Sequence, residues 1–128
     1  MITADQLLAH LVGDYVLQTN WMANNKATQS LATLVHAIVY TLPFLFLTTN
    51  PISLAVIVGT HFFIDRYRLA RYVIWVRNIP FPGHRPWSEC KETGFPAGLP
   101  PFMATWLLII VDNTIHIIIN GLAITYIG

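Results

Sequence analysis

Four long apolar stretches alternate along the chain with polar or proline-rich connections. From Ile2 to Asn20 the apolar run is interrupted at Gln6, His10, Asp14 and Gln18. That i, i+4, i+8, i+12 spacing gathers the four into one stripe on a helix. The stripe lacks the Lys and Arg of an interfacial helix, so it is predicted to turn inward in a bundle. After a polar link from Trp21 to Ser30, the second stretch, 31–48, carries His36, with Tyr40 one turn on and a kink predicted at Pro43. Thr49-Asn50-Pro51 reads as a tight turn, making the second and third stretches antiparallel neighbours. The third stays apolar apart from His61 as far as Ile64. After Asp65 it changes character, with Arg66, Arg68, Arg71 and Arg77 among Tyr67, Tyr72 and Trp75. Six of the eight prolines, with Gly83, Gly94 and Gly98, fall between Asn78 and Pro101. Phe102 to Ile127 is long enough to span a bilayer with some tilt.

This pattern predicts an all-α fold: an integral membrane four-helix bundle with a long Pro/Gly-rich cytoplasmic loop before the last helix. The chain reads as a single transmembrane domain over 1–128, with helices at about 2–20, 31–48, 52–76 and 102–127 and a loop at 78–101. Composition sharpens the membrane reading. Charged residues make up 10% of the chain and apolar residues 55%, against about 25% charged in soluble domains. A net charge of +1 gives no basis for a nucleic-acid partner, which leaves membrane lipid and a second copy in a homo-oligomer. The first stretch has no basic leader region and carries His10 and Asp14, so it reads as part of the mature fold. All seven Lys and Arg fall in the first and third connections. By the positive-inside rule loops 21–30 and 66–101 are cytoplasmic and both termini face out. Cys90, the single cysteine, has no internal disulfide partner, and His84 reads as solvated in the loop.

Three His/Asp pairs share i, i+4 spacing: His10/Asp14, His61/Asp65 and Asp112/His116. Each pair lies on one helix face, one turn apart. The first two read His then Asp and the third, on an oppositely directed segment, Asp then His. The predicted topology therefore places the histidines about 12–16 Å below the outer surface and the aspartates about 18–22 Å. His36 falls roughly level with the aspartates by the same rise per residue. Ionisable groups at membrane depth are costly and mark function. The expected metal ligands are His10, Asp14, His36, His61, Asp65, Asp112 and His116. They would hold one or two divalent metal ions, zinc first, with iron or manganese as alternatives. Gln18, Tyr40, Thr60, Asn113 and Asn120 are expected to orient them.

Two ions about 3.5–4 Å apart would clamp a phosphoryl or acyl group and activate a water. The leading expectation is a metal-dependent hydrolase acting on a lipid or lipid-linked phosphate, with Asp14, Asp65 and Asp112 as catalytic carboxylates. The loop would cover its entrance. The alternatives are a metal or proton transport or relay protein, and a non-enzymatic membrane regulatory or interaction protein. No His-Glu-x-x-His, Gly-x-Ser-x-Gly or phosphate-binding glycine loop occurs.

The segments His10-Leu-Val-Gly-Asp14-Tyr-Val-Leu-Gln18-Thr-Asn-Trp-Met, His61-Phe-Phe-Ile-Asp65-Arg-Tyr and Asp112-Asn-Thr-Ile-His116 resemble those of a small bacterial and phage membrane-protein family, domain of unknown function 3307. The resemblance implies a multi-pass protein of the bacterial inner (cytoplasmic) membrane and brings no activity with it. In ligand types alone the set is also similar to membrane-embedded, phospholipase-like hydrolases.

Overall fold

A computed structural model describes residues 1–128 and shows an all-α chain without strands. The α-helices are α1 (Ala4–Leu11), α2 (Asn20–Asn25), α3 (Ser30–Thr41), α4 (Pro51–Tyr67), α5 (Ala70–Asn78) and α6 (Pro101–Tyr126). Met1–Tyr67 and His116–Gly128 form one compact unit, and Arg68–Ile115 forms another.

In the first unit, α1 starts at a capping box. Thr3 accepts from the Gln6 amide (3.2 Å), and Gln6 Oε1 accepts from the Thr3 amide (3.3 Å), meeting two of the donors a helix start leaves open. The helix then widens into a π-helical turn, Val12–Val16, and breaks at Leu17. The expected continuous helix over 2–20 is thus corrected to a short helix and a π turn. The link expected at 21–30 contains α2, whose N-cap Thr19 accepts from the Met22 amide (3.3 Å) and whose Met22 is buried.

The chain of α3 tightens into a 3-10 turn, Leu42–Phe46. Pro43 explains the change, since it has no N–H and its ring crowds the carbonyl four residues back, that of Val39. The Leu42 amide takes over that carbonyl. In the following turn Asn50 Oδ1 accepts from the Ile52 amide (2.9 Å), and Asn50 Nδ2 donates to the Ile127 carbonyl (2.9 Å). One side chain thereby caps α4 and anchors the end of α6. The antiparallel pairing of α3 with α4 is as expected: Ser30 meets Arg66 (3.3 Å) and His36 meets His61 (2.9 Å). Ala9, Tyr40, Phe44, Ile57 and Ala123 form the apolar core beyond them.

In the second unit, the helix expected over 52–76 does not continue. Arg68 takes a left-handed conformation (φ 51), which a right-handed helix cannot propagate, and α5 starts anew. The basic, aromatic surface extension folds onto the proline-rich segment. Arg68 donates to the Glu92 carbonyl, Arg71 to the Lys91 carbonyl (2.8 Å) and Trp75 to the Arg85 carbonyl (3.0 Å). Tyr72 stacks on Trp87 at 4.5 Å. Trp87–Glu89 is a 3-10 turn. His84 is half-buried rather than solvated. Cys90 is buried, and burial, then the neighbouring Glu89 carboxylate, pushes its thiol up, the setting of an unreactive cysteine.

α6 is long and apolar enough to cross a membrane, with a mean hydropathy of 1.9 in its most apolar window. The four helices of such length expected from the sequence reduce to this one. The π turn, the 3-10 turn and Arg68 cut the others short.

Candidate metal centre

α1, the π turn, α3, α4 and the end of α6 each deliver ionisable side chains to one buried place in the first unit. His10, His36, His61 and His116 are buried to 1% exposure or less, Asp14 to 4% and Asp65 to 6%. α4 presents His61 and Asp65 on one face, as i, i+4 spacing requires. On α1 the widened π turn re-aims Asp14, leaving it 4.0 Å from His10 Nε2.

Asp14, His36, His61 and Asp65 converge with one ligand atom each, all within 4.8 Å of one another. His36 Nε2 lies 3.2 Å from Asp14 Oδ1, 3.3 Å from Asp65 Oδ2 and 2.9 Å from His61 Nε2. His61 Nε2 lies 3.9 Å from Asp14 Oδ1 and 3.4 Å from Asp65 Oδ2. A tetrahedral ion held at 2.0–2.1 Å separates its ligands by about 3.3–3.4 Å. These five edges bracket that value, so the donor set fits such an ion by type and by spacing.

The remaining histidines serve the four rather than join them. His116 Nε2–H donates to Asp65 Oδ1 (3.1 Å). Its Nδ1 is then free to accept from His61 Nδ1–H (3.2 Å), and His61 Nε2 is left as a lone pair facing the centre. Hydrogen-bond bookkeeping thus fixes the tautomer a metal ligand needs. His10 Nδ1 pairs with Tyr40 Oη (2.8 Å), which also accepts from Asn120 Nδ2 (2.5 Å). The Tyr40 ring lies flat on His61, centroids 3.7 Å apart. Tyr40 and Asn120 therefore brace the imidazoles. His36 has no such brace: its Nδ1 is buried without a partner.

Gln18 and Thr60 are not among the four. Gln18 Oε1 is buried without a partner. Thr60 bonds the Val56 carbonyl of its own helix (2.7 Å). Asp112 and Asn113 belong to the second unit, with Asp112 one turn before His116 on α6.

The sequence reading missed Lys26. Its Nζ sits 2.8 Å from Asp65 Oδ2 and 3.7 Å from Asp14 Oδ1, while the side chain remains 24% exposed. One ammonium against two carboxylates leaves one negative charge uncompensated when the imidazoles are neutral, and buried charge of that kind calls for a cation. The signal was present: Lys26 is the one cation of the first connection. Lys26→Met is expected to tighten divalent metal binding about tenfold or more, since a like charge within ~4 Å opposes the ion. Competition titration with a chelator would check this, and unchanged affinity would show that Lys26 and the ion do not compete.

An all-α protein with a buried His/Asp centre among its helices is the class these features define. The chain matches the family described as "Protein of unknown function (DUF3307)" over residues 2–127 and belongs to it. No curated protein and no solved structure matches the chain.

Proposed function

We propose that the protein is a multi-pass protein of the bacterial inner membrane in which Asp14, His36, His61 and Asp65 hold one divalent metal ion, zinc first. We read it as a metal-dependent hydrolase acting on a lipid or lipid-linked phosphate. The near-tetrahedral spacing of the four ligand atoms carries this reading. A metal bound there would supply Lewis-acid polarisation of a phosphoryl oxygen and an acidified water. His116, His10, Tyr40 and Asn120 orient the ligands, and Lys26 balances their charge.

Several features favour the membrane. Only 22% of the most apolar window of α6 is buried, unlike the core helix of a soluble protein. Leu8, Val16, Leu31, Phe46, Ile52, Phe63 and Trp106 are among many large apolar side chains left exposed, a surface that suits lipid better than water. Ser30–Phe46 and Pro51–Tyr67 each rise about 25 Å, a shortfall that local thinning of the bilayer absorbs.

One observation favours a second reading, a proton relay. Contacts of 2.9, 3.2 and 3.1 Å link His36, His61, His116 and Asp65 in an unbroken line. Elemental analysis of protein purified in detergent separates the two. One zinc per chain, lost in His61→Ala, together with phosphate release from a lipid-linked substrate, is expected. No stoichiometric metal, with unchanged stability in His61→Ala, would overturn the metal centre. Proton flux in liposomes without turnover would favour the relay.

A further inference from the structure

An apolar groove of about 350 Å³ runs along the outer side of the α3–α4 pair, lined by Ser30, Leu31, Leu34, Val58, Gly59 and Phe62. Its walls are aliphatic and aromatic except at one end, where the Ser30 hydroxyl stands. Arg66 is held at that same end: its Nε donates to Ser30 Oγ (3.3 Å) and its Nη1 to the Ala27 carbonyl (3.0 Å). Its Nη2 makes no hydrogen bond within the protein, leaving two donors of the planar fork that suits a phosphate.

Gly59 forms part of the groove. A Cβ at this position would meet nothing within 4 Å, so close packing within the chain does not require the glycine. Glycine inside a helix is a destabilising choice, and here it leaves an open notch.

We infer that this groove binds one acyl chain of an anionic phospholipid whose phosphate is taken by Arg66. The inference rests on the membrane part of the proposed function and not on the metal. With the first connection cytoplasmic, Ser30 and Arg66 stand where inner-leaflet headgroups lie. Leu34, Val58 and Gly59 then lie deeper, at the level of the chains. A second groove of about 470 Å³ is lined by Asp5, Leu8, Ala9, Val12, Pro43, Phe46 and Leu47. It carries a carboxylate where the first has a guanidinium, so an anionic headgroup is repelled there.

The test uses the full chain in nanodiscs containing phosphatidylglycerol with a photoactivatable acyl chain, the labelled peptides being mapped by mass spectrometry. Label is expected on the peptides carrying Leu34 and Phe62. Gly59→Leu should lower it at least fivefold, with metal content unchanged and the melting temperature not lowered. Arg66→Gln should lower labelling by phosphatidylglycerol and not by the phosphatidylcholine analogue. Leu34→Trp fills the groove from α3 and replaces Gly59→Leu if that variant does not fold. Three results would overturn the inference: undiminished label in the filled variants, equal labelling of the wild type by both lipids, or cross-links joining two copies through the groove. Chelator treatment separates the two proposals, because labelling is expected to survive metal removal.

Discussion

Asp65→Asn is expected to abolish stoichiometric metal binding and to lower the stability of the metal-free protein by about 2–3 kcal/mol. Asp65 is the hub of the centre: Oδ2 meets Lys26 (2.8 Å), His36 (3.3 Å) and His61 (3.4 Å), while Oδ1 meets His116 (3.1 Å). The amide keeps the shape of the carboxylate and removes its charge. It takes the 2.8 Å ion pair from Lys26, leaving that ammonium Asp14 Oδ1 at 3.7 Å, and puts two N–H donors where acceptors are needed. Removing one partner of a fully buried ion pair costs about 3–5 kcal/mol. The smaller figure applies because Lys26 reaches water and its charge is partly screened. Adding Lys26→Met to Asp65→Asn should not restore the stability, because it leaves the buried Asp14 carboxylate without its ammonium, and should leave metal binding lost. Thermal unfolding in detergent and chelator-competition titration read the two effects separately. Metal retained at full stoichiometry in Asp65→Asn would refute the assignment of Asp65 as a ligand. Stability fully restored in the double variant would mean that the loss lies in Lys26 rather than in the imidazoles that Asp65 holds.

The features legible in the sequence were those set by local rules. Helical spacing put His61 beside Asp65, the Asn50-Pro51 turn folded α4 back along α3, and counting turns set His36 level with the aspartates, where it lies 3.2 and 3.3 Å from them. The features that were not legible depend on distant parts of the chain. Nothing near Val12–Val16 signals a π turn, which forms where Gly13 meets Tyr40 of another helix. The left-handed Arg68 follows an apolar, helix-like run, and its partner is a carbonyl 24 positions on. Lys26 looked like a link residue because a long side chain on a surface segment has no period to betray where it points. Spacing fixes a face of a helix, and tertiary packing decides what that face meets.

Gly13→Ala is expected to damage the fold and the metal centre together. A Cβ there would stand 2.5 Å from the Tyr40 carbonyl oxygen, 2.9 Å from Tyr40 Cδ2 and 3.1 Å from the Tyr40 carbonyl carbon. Backbone atoms cannot swing aside as a side-chain tip can, so the π turn and α3 must separate. Overpacking of this kind costs about 1–3 kcal/mol. The position of the strain matters more than its size. Tyr40 is stacked on His61 at 3.7 Å and bonded to His10 and Asn120. Asp14, the residue next to Gly13, is one of the four proposed ligands. Moving α3 away by a few tenths of an ångström therefore stretches the Asp14–His36 edge and unseats the ring that braces His61. Loss of such support costs metal sites about 10–100-fold in affinity. Gly13→Ala should show both a lower melting temperature and weaker zinc binding, whereas Gly59→Ala, whose Cβ enters open space, should show neither. If Gly13→Ala melted and bound zinc as the wild type does, the close approach of the π turn to α3 would not be what positions Asp14.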